Sequence, residues 1–232
     1  MSLLTNYPYL ATNLCNLAAL AALLAVLPGR WRRMALVSGL LAAPGALQAT
    51  LDVPGYWNPT RTWVLAGVAP EDVVFASFAG GLCWLAATWR SWRQWQGAIR
   101  WRDVALVASG SAVLMLTLRL ACRAAGLREG VSLLLATGLW AGALLVLQRK
   151  FWPLASCAVA TFVPVYFLVV KANFAAAPGY LGQWNAAALC GVRLWGVPVE
   201  EVAWSAVFAA GWPVAVAWAV GLRPAAEAPA GS

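Results

Sequence analysis

Histidine is absent from this sequence and acidic residues are scarce, eight Asp and Glu against sixteen Lys and Arg in 232 residues. Without histidine the chain lacks the commonest metal and haem ligand and the usual general base near neutral pH. Its chemistry has to come from carboxylates, aromatics and amides. The five cysteines, Cys15, Cys83, Cys122, Cys157 and Cys190, form no Cys-x-x-Cys pair. Four of them fall inside apolar runs, which reads as packing rather than as a disulfide framework or a metal site. Neither a metal nor a cofactor is expected. Charged residues are also few, 10% of the chain against 62% hydrophobic, where soluble domains carry about 25% charge. The chain therefore reads as an all-α integral membrane protein. Its net charge of +8 is scattered over the connections between apolar runs, which does not make a nucleic-acid face and fits anchoring against anionic lipid.

Apolar runs long enough to cross roughly 30 Å of hydrocarbon lie at about residues 8 to 27, 34 to 51, 70 to 89, 103 to 123, 130 to 148, 153 to 171 and 198 to 221. Seven transmembrane helices are predicted, in a single membrane domain covering 1–232. The first run has no basic region before it and no clear cleavage site after it, so it is taken as a span rather than a signal peptide. Ten of the sixteen Lys and Arg fall on one side of this arrangement and six on the other, which places the N-terminus outside and the C-terminus in the cytoplasm. The segment from Pro224 to Ser232 reads as a disordered tail.

One pattern occurs twice. Gly67-Val68-Ala69-Pro70-Glu71-Asp72-Val73-Val74-Phe75 is echoed 129 positions later by Gly196-Val197-Pro198-Val199-Glu200-Glu201-Val202-Ala203-Trp204. Each copy follows a Trp-Asn pair, Trp57-Asn58 and Trp184-Asn185, and Pro54-Gly55-Tyr56 is matched by Pro178-Gly179-Tyr180. Half of the acidic residues thus sit at the mouths of two membrane-length stretches, where ionised groups are expensive. Spans one to three (about 8–89) correspond to spans five to seven (about 130–221), with span four (about 103–123) as a linker. This is a parallel 3+1+3 repeat that puts both acidic motifs on one side of the membrane. The loops at about 52 to 69 and 172 to 197 are rich in Gly, Pro and aromatics and are expected to fold back as a partly buried lid.

A proline followed by Asp or Glu is also an ordinary helix start. Recurrence with the same flanking Gly-Val and the same aromatic four residues on favours a functional reading. Residues four apart share a helix face, so Glu71 is expected beside Phe75, and Glu200 beside Trp204 and Phe208. Asp72 and Glu201, turned by about 100°, are expected to orient the first acid or face the opposite repeat. A carboxyl group in an apolar site tends to keep its proton near neutral pH and can protonate a substrate with no polar handle. Aromatic faces stabilise a developing cation, and a dry pocket stops water from quenching it. Polyene cyclisation needs that combination. Trp57, Asn58, Phe75, Trp184, Asn185, Trp204 and Phe208 are the candidate substrate-binding residues, with Glu200, Glu71, Glu201 and Asp72 as the catalytic candidates. The last span holds no lysine, which argues against a retinal Schiff base.

At these residues the chain resembles the lycopene cyclase domain family, small integral membrane proteins found as two short subunits or one fused chain. The resemblance rests on Trp57-Asn58-Pro59 with Glu71-Asp72 and Phe75, and on Trp184-Asn185 with Pro198-Val199-Glu200-Glu201 and Trp204. It implies an isomerase of the intramolecular lyase type. A terminal isoprenoid double bond is protonated, a ring closes through a tertiary carbocation, and a proton is lost without net redox change. The regular Pro198-Val199-Glu200-Glu201 spacing makes Glu200 the expected donor, with Glu71 and Asp72 at the other end of the pocket or removing the final proton. The expected partners are a long isoprenoid or carotenoid, the bilayer and a second copy of the chain in a homo-oligomer. A proton-coupled small-solute transporter built from the same 3+1+3 repeats is the alternative. Spans two, five and six offer it almost no polar path.

Overall fold

The computed structural model describes residues 3–91, 94–177 and 179–224. Pro178 of the second Pro-Gly-Tyr echo and residues 225–232 of the expected tail lie outside the described residues. Seven long helices follow the seven apolar runs. They are α1 (Pro8–Val26), α2 (Gly29–Ala42), α3 (Pro70–Thr88), α4 (Trp101–Ala124), α5 (Glu129–Leu147), α6 (Trp152–Ala176) and α7 (Val199–Ala219).

Helix α2 begins before its apolar run, because Arg30, Arg32 and Arg33 do not interrupt backbone pairing. It ends early, passing at Pro44 into a 3₁₀ segment, Ala43–Gln48, and a last turn, Ala49–Asp52. Proline offers no N–H to the α-helical ladder, so the tighter segment starts there. Among the described residues six stretches are long and apolar enough to cross a membrane, one fewer than the sequence suggests. The exception is α3, whose first turn holds Glu71 and Asp72. Pro224, expected to open the tail, instead pairs with Trp95 in a two-residue antiparallel ladder.

Helices α3 and α7 form the centre, packed on each other; α3 also packs on α1, α2 and α6, and α7 on α4, α5 and α6. Small residues permit this closeness. A Cβ at Gly80 would run into Ala42 and the Ser38 carbonyl oxygen, and one at Gly211 would meet Trp140 and Ala141. Ser38 Oγ donates to the Gly80 carbonyl oxygen at 2.7 Å and accepts from Trp212 Nε1 at 2.9 Å, which joins α2, α3 and α7 through buried polar atoms. Helix α4 stands at the edge, with only Val104 and Arg119 buried.

The loop before α3 and the loop before α7 share a turn. Leu65 bridges Val68, with Ala66 at φ +50° and Gly67 at +84°. Leu194 pairs with Val197, with Trp195 at φ +46° and Gly196 at +89°. Positive φ at both central residues is the signature of a type I′ hairpin turn. Glycine takes it without strain, which accounts for glycine at the second position of both copies. Lys171 Nζ donates to the Trp195 carbonyl oxygen at 2.9 Å and holds the second turn against α6.

The two loops also pair with each other. Trp57 and Trp184 form an antiparallel bridge. Beside it the Asn58 N–H donates to the Gln183 carbonyl oxygen at 2.7 Å, and the Asn185 N–H to that of Tyr56 at 3.0 Å.

Candidate functional site

Beneath the paired loops lies a cavity of about 350 Å³ between α2, α3, α4, α5, α6 and α7. That is near the lower end of the roughly 300–1,000 Å³ of small-molecule sites. One carboxylate from each acidic pair lines it, Asp72 and Glu201. Trp57, Phe75, Trp184, Trp204 and Phe208 line it too.

Glu201 is buried and accepts three hydrogen bonds. Tyr56 Oη and Trp184 Nε1 reach its Oε1 at 3.1 and 2.9 Å, and Tyr166 Oη reaches Oε2 at 3.1 Å. Among the described residues no ion pair reaches it. Asp72 is held differently. Its Oδ2 accepts the Ala69 N–H at 2.8 Å, closing the start of α3, and lies 3.6 Å from the Arg61 guanidinium; its Oδ1 accepts from Tyr9 Oη at 3.2 Å. Arg61, itself buried, donates to the Gly67 carbonyl oxygen at 2.9 Å, so the turn that precedes α3 also aims the cation.

Burial pushes the Tyr56 and Tyr180 phenols above the usual tyrosine range. Both therefore stay protonated at neutral pH, and Tyr56 remains a donor to Glu201.

The rotation of each acidic pair is the reverse of the sequence expectation. Glu71 and Glu200 are absent from the cavity lining. Glu71 Oε1 accepts the Thr62 N–H at 2.9 Å and its hydroxyl at 2.6 Å, and Glu200 Oε1 accepts the Cys190 N–H at 2.5 Å. The first acid of each pair thus ties a loop to its helix, and the second faces the cavity. Residues three apart share a helix face as well as residues four apart. On α7 the cavity face runs Glu201, Trp204, Phe208, Trp212, and on α3 it runs Asp72, Phe75. Asn58 and Asn185 are likewise outside the cavity and exposed. The Asn185 amide donates to the Gly55 carbonyl oxygen at 2.8 Å and accepts the Ala187 N–H at 3.1 Å, so it braces the loops.

The aromatic wall is ordered. Trp204 and Phe208 stack at 5.1 Å and 13°, and Phe208 and Trp212 at 5.4 Å and 11°. Phe75 stands 6.0 Å from Trp204 across the cavity, and Tyr166 5.5 Å from it. These faces present π density to whatever lies between the two carboxylates.

Four of the five tyrosines, Tyr9, Tyr56, Tyr166 and Tyr180, line this one cavity. Sequence reasoning did not select them. The signal was their placement in or beside apolar runs, since a buried phenol needs a polar partner. Arg119 is fully buried. It reaches Asp52 Oδ1 at 2.6 Å and Glu129 Oε2 at 3.4 Å, while Arg123 takes Glu129 Oε1 at 2.9 Å. This network fastens α4 to the end of the α2 stretch and to the start of α5. Among the described residues no cluster of three His, Cys, Asp or Glu is placed to hold a metal.

The family model for lycopene cyclase matches residues 131–218. No curated protein and no solved structure gives a significant match. The matched stretch runs from the first turn of α5 almost to the end of α7 and holds Tyr166, Trp184 and the second acidic pair. Residues 131–218, which carry Glu201 and its tryptophan donor, are similar to the lycopene cyclase family, the one that the paired acidic motifs resemble.

Proposed function

We propose that the protein is a membrane-embedded carotenoid cyclase in which Glu201 delivers the initiating proton and Asp72 receives the final one. The observation that carries this reading is the convergence of Asp72 and Glu201, one from each acidic pair, on a single aromatic-lined cavity. The family match supports the reaction class. The assignment of roles follows from charge. Asp72 has the Arg61 guanidinium beside it as a counter-charge. Glu201 has only neutral donors and, among the described residues, no counter-charge.

The Glu201 proton adds to the less substituted carbon of a terminal double bond and leaves a tertiary cation. The next suitably placed double bond attacks that cation, forming the ring carbon–carbon bond and moving the positive charge into the ring. Asp72 then removes a proton from the carbon beside the charge, and the ring double bond forms. One proton enters and one leaves, so the product is an isomer of the substrate with no redox change. Trp204, Phe208 and Trp212 hold the cation by their faces, and the mostly apolar lining disfavours water that would capture it. Return of the proton from Asp72 to Glu201 resets the pair.

The same reading takes α1–α3 and α5–α7 as parallel repeats joined by α4. The matching turns at 65–68 and 194–197 support it, as does the matching use of the two acids in each pair. The transporter alternative gains nothing from a cavity walled by apolar and aromatic side chains.

Expression in cells that accumulate lycopene, followed by pigment analysis, tests the proposal. The native chain should convert lycopene to products with ring ends, and Glu201→Gln should leave it open-chain. Unchanged lycopene with the native chain, in membranes that contain the protein, would sink the cyclase reading.

A further inference from the structure

The cavity is buried at its carboxylate end and open at the other. Its exposed lining residues all come from two segments: Pro44, Gly45 and Leu47 of the 3₁₀ segment, and Val113 and Leu116 of α4. Both belong to stretches apolar and long enough to span a membrane, so an opening between them meets acyl chains rather than water. Around Asp72 and Glu201 the lining is closed by buried Tyr9, Tyr56, Tyr180 and Trp184 and by the paired loops.

We propose that the gap between Ala43–Gln48 and the 107–116 stretch of α4 is the entry for one end of an extended apolar polyene. This rests on the cyclase reading. The 3₁₀ break creates the gap. A continuous α-helix would carry side chains across it, whereas Pro44 and Gly45 leave a thin wall. At Gly45 an added Cβ meets nothing within 4 Å, although the residue lines the cavity. The mouth is therefore held open by the want of a side chain there. Opposite it, α4 packs on α5 and α7 and touches the 3₁₀ segment but buries only Val104 and Arg119, so the lipid-facing wall is also the least encumbered helix.

A chain entering here places its leading end between Glu201 and Asp72, while its remainder trails past Gly45 and Val113 into the bilayer. Both motif copies supply acids to that one leading end. Gln48, whose amide oxygen is buried without a partner, and Ser111 stand on the same path. They are polar positions of the cavity lining, as are Asp52 and Thr137.

Two experiments test the proposal. In lycopene-accumulating cells, Gly45→Trp and Ala112→Trp should lose conversion, and Gly110→Trp should keep it. Gly110 is also on α4 and also has nothing within 4 Å of an added Cβ, but it does not line the cavity. Protein levels in the membrane fraction, read by immunoblot, show that the variants are present. Wild-type conversion by Gly45→Trp, or equal loss in Gly110→Trp, would overturn the entry. Should the native chain convert nothing, the cyclase reading fails and the entry is still read by photo-crosslinking. A benzophenone side chain at position 45 should capture lycopene and one at position 110 should not, and equal capture overturns it.

Discussion

Trp57 and Trp184 meet edge to face with ring centroids 4.4 Å apart, and the same two residues bridge through their backbones across the paired loops. They are not equivalent, because only Trp184 donates its indole N–H to Glu201. Replacing each by phenylalanine separates roof packing from the hydrogen bond. Trp184→Phe should lower kcat for cyclisation well beyond Trp57→Phe, while both lose a similar part of an aromatic contact worth about 0.5–1.5 kcal/mol. Equal kcat values in the two variants would reduce Trp184 to packing.

The two glutamates of the second motif make opposite predictions. Glu201→Gln keeps size and most hydrogen bonding but has no proton to deliver, so conversion should fall by about 10²–10⁴-fold, the contribution of a positioned acid. Glu200→Gln preserves an acceptor for the Cys190 N–H and should convert near the native rate. Pigment yields normalised to membrane protein decide the order, and a more damaging Glu200→Gln would move the donor back to the first acid.

Arg119 is buried with two carboxylates against it. Arg119→Met leaves Asp52 and Glu129 without that cation in a poorly solvated place, and breaking a buried pair this way costs about 3–5 kcal/mol. The unfolding midpoint in detergent should drop clearly for Arg119→Met. It should drop less for Arg123→Met, whose side chain is 40% exposed. Matching midpoints would mean that the network is solvated.

Close packing of α7 on α5 depends on Gly211. A Cβ there would lie 2.5 Å from Trp140 Cζ3 and 2.8 Å from Ala141 Cβ, so Gly211→Ala should destabilise by about 1–3 kcal/mol through overpacking. Gly142→Ala, with nothing within 4 Å of the added carbon, serves as the control and should be neutral or stabilising. Thermal unfolding of both variants checks the pair.

Local information in the sequence determined the helices and the acidic pairs. Membrane-length apolar runs, Pro70 at a helix start and the Gly67 and Gly196 turn positions are written in neighbouring residues, because apolar length and φ preference are properties of short stretches. The family motif was legible for the same reason, as spacing within one segment. Which acid of each pair faces the cavity was not legible. Residues three and four apart share a face, so Phe75 and Trp204 were compatible with either acid, and bonds from Thr62 and Cys190 settled the rotation. The tyrosine donors come from α1, α6 and the first loop, up to 145 residues from the acid they meet. The cavity mouth exists because a break at Pro44 happens to lie against α4. These relations form only when distant segments pack, so tertiary structure alone decided them.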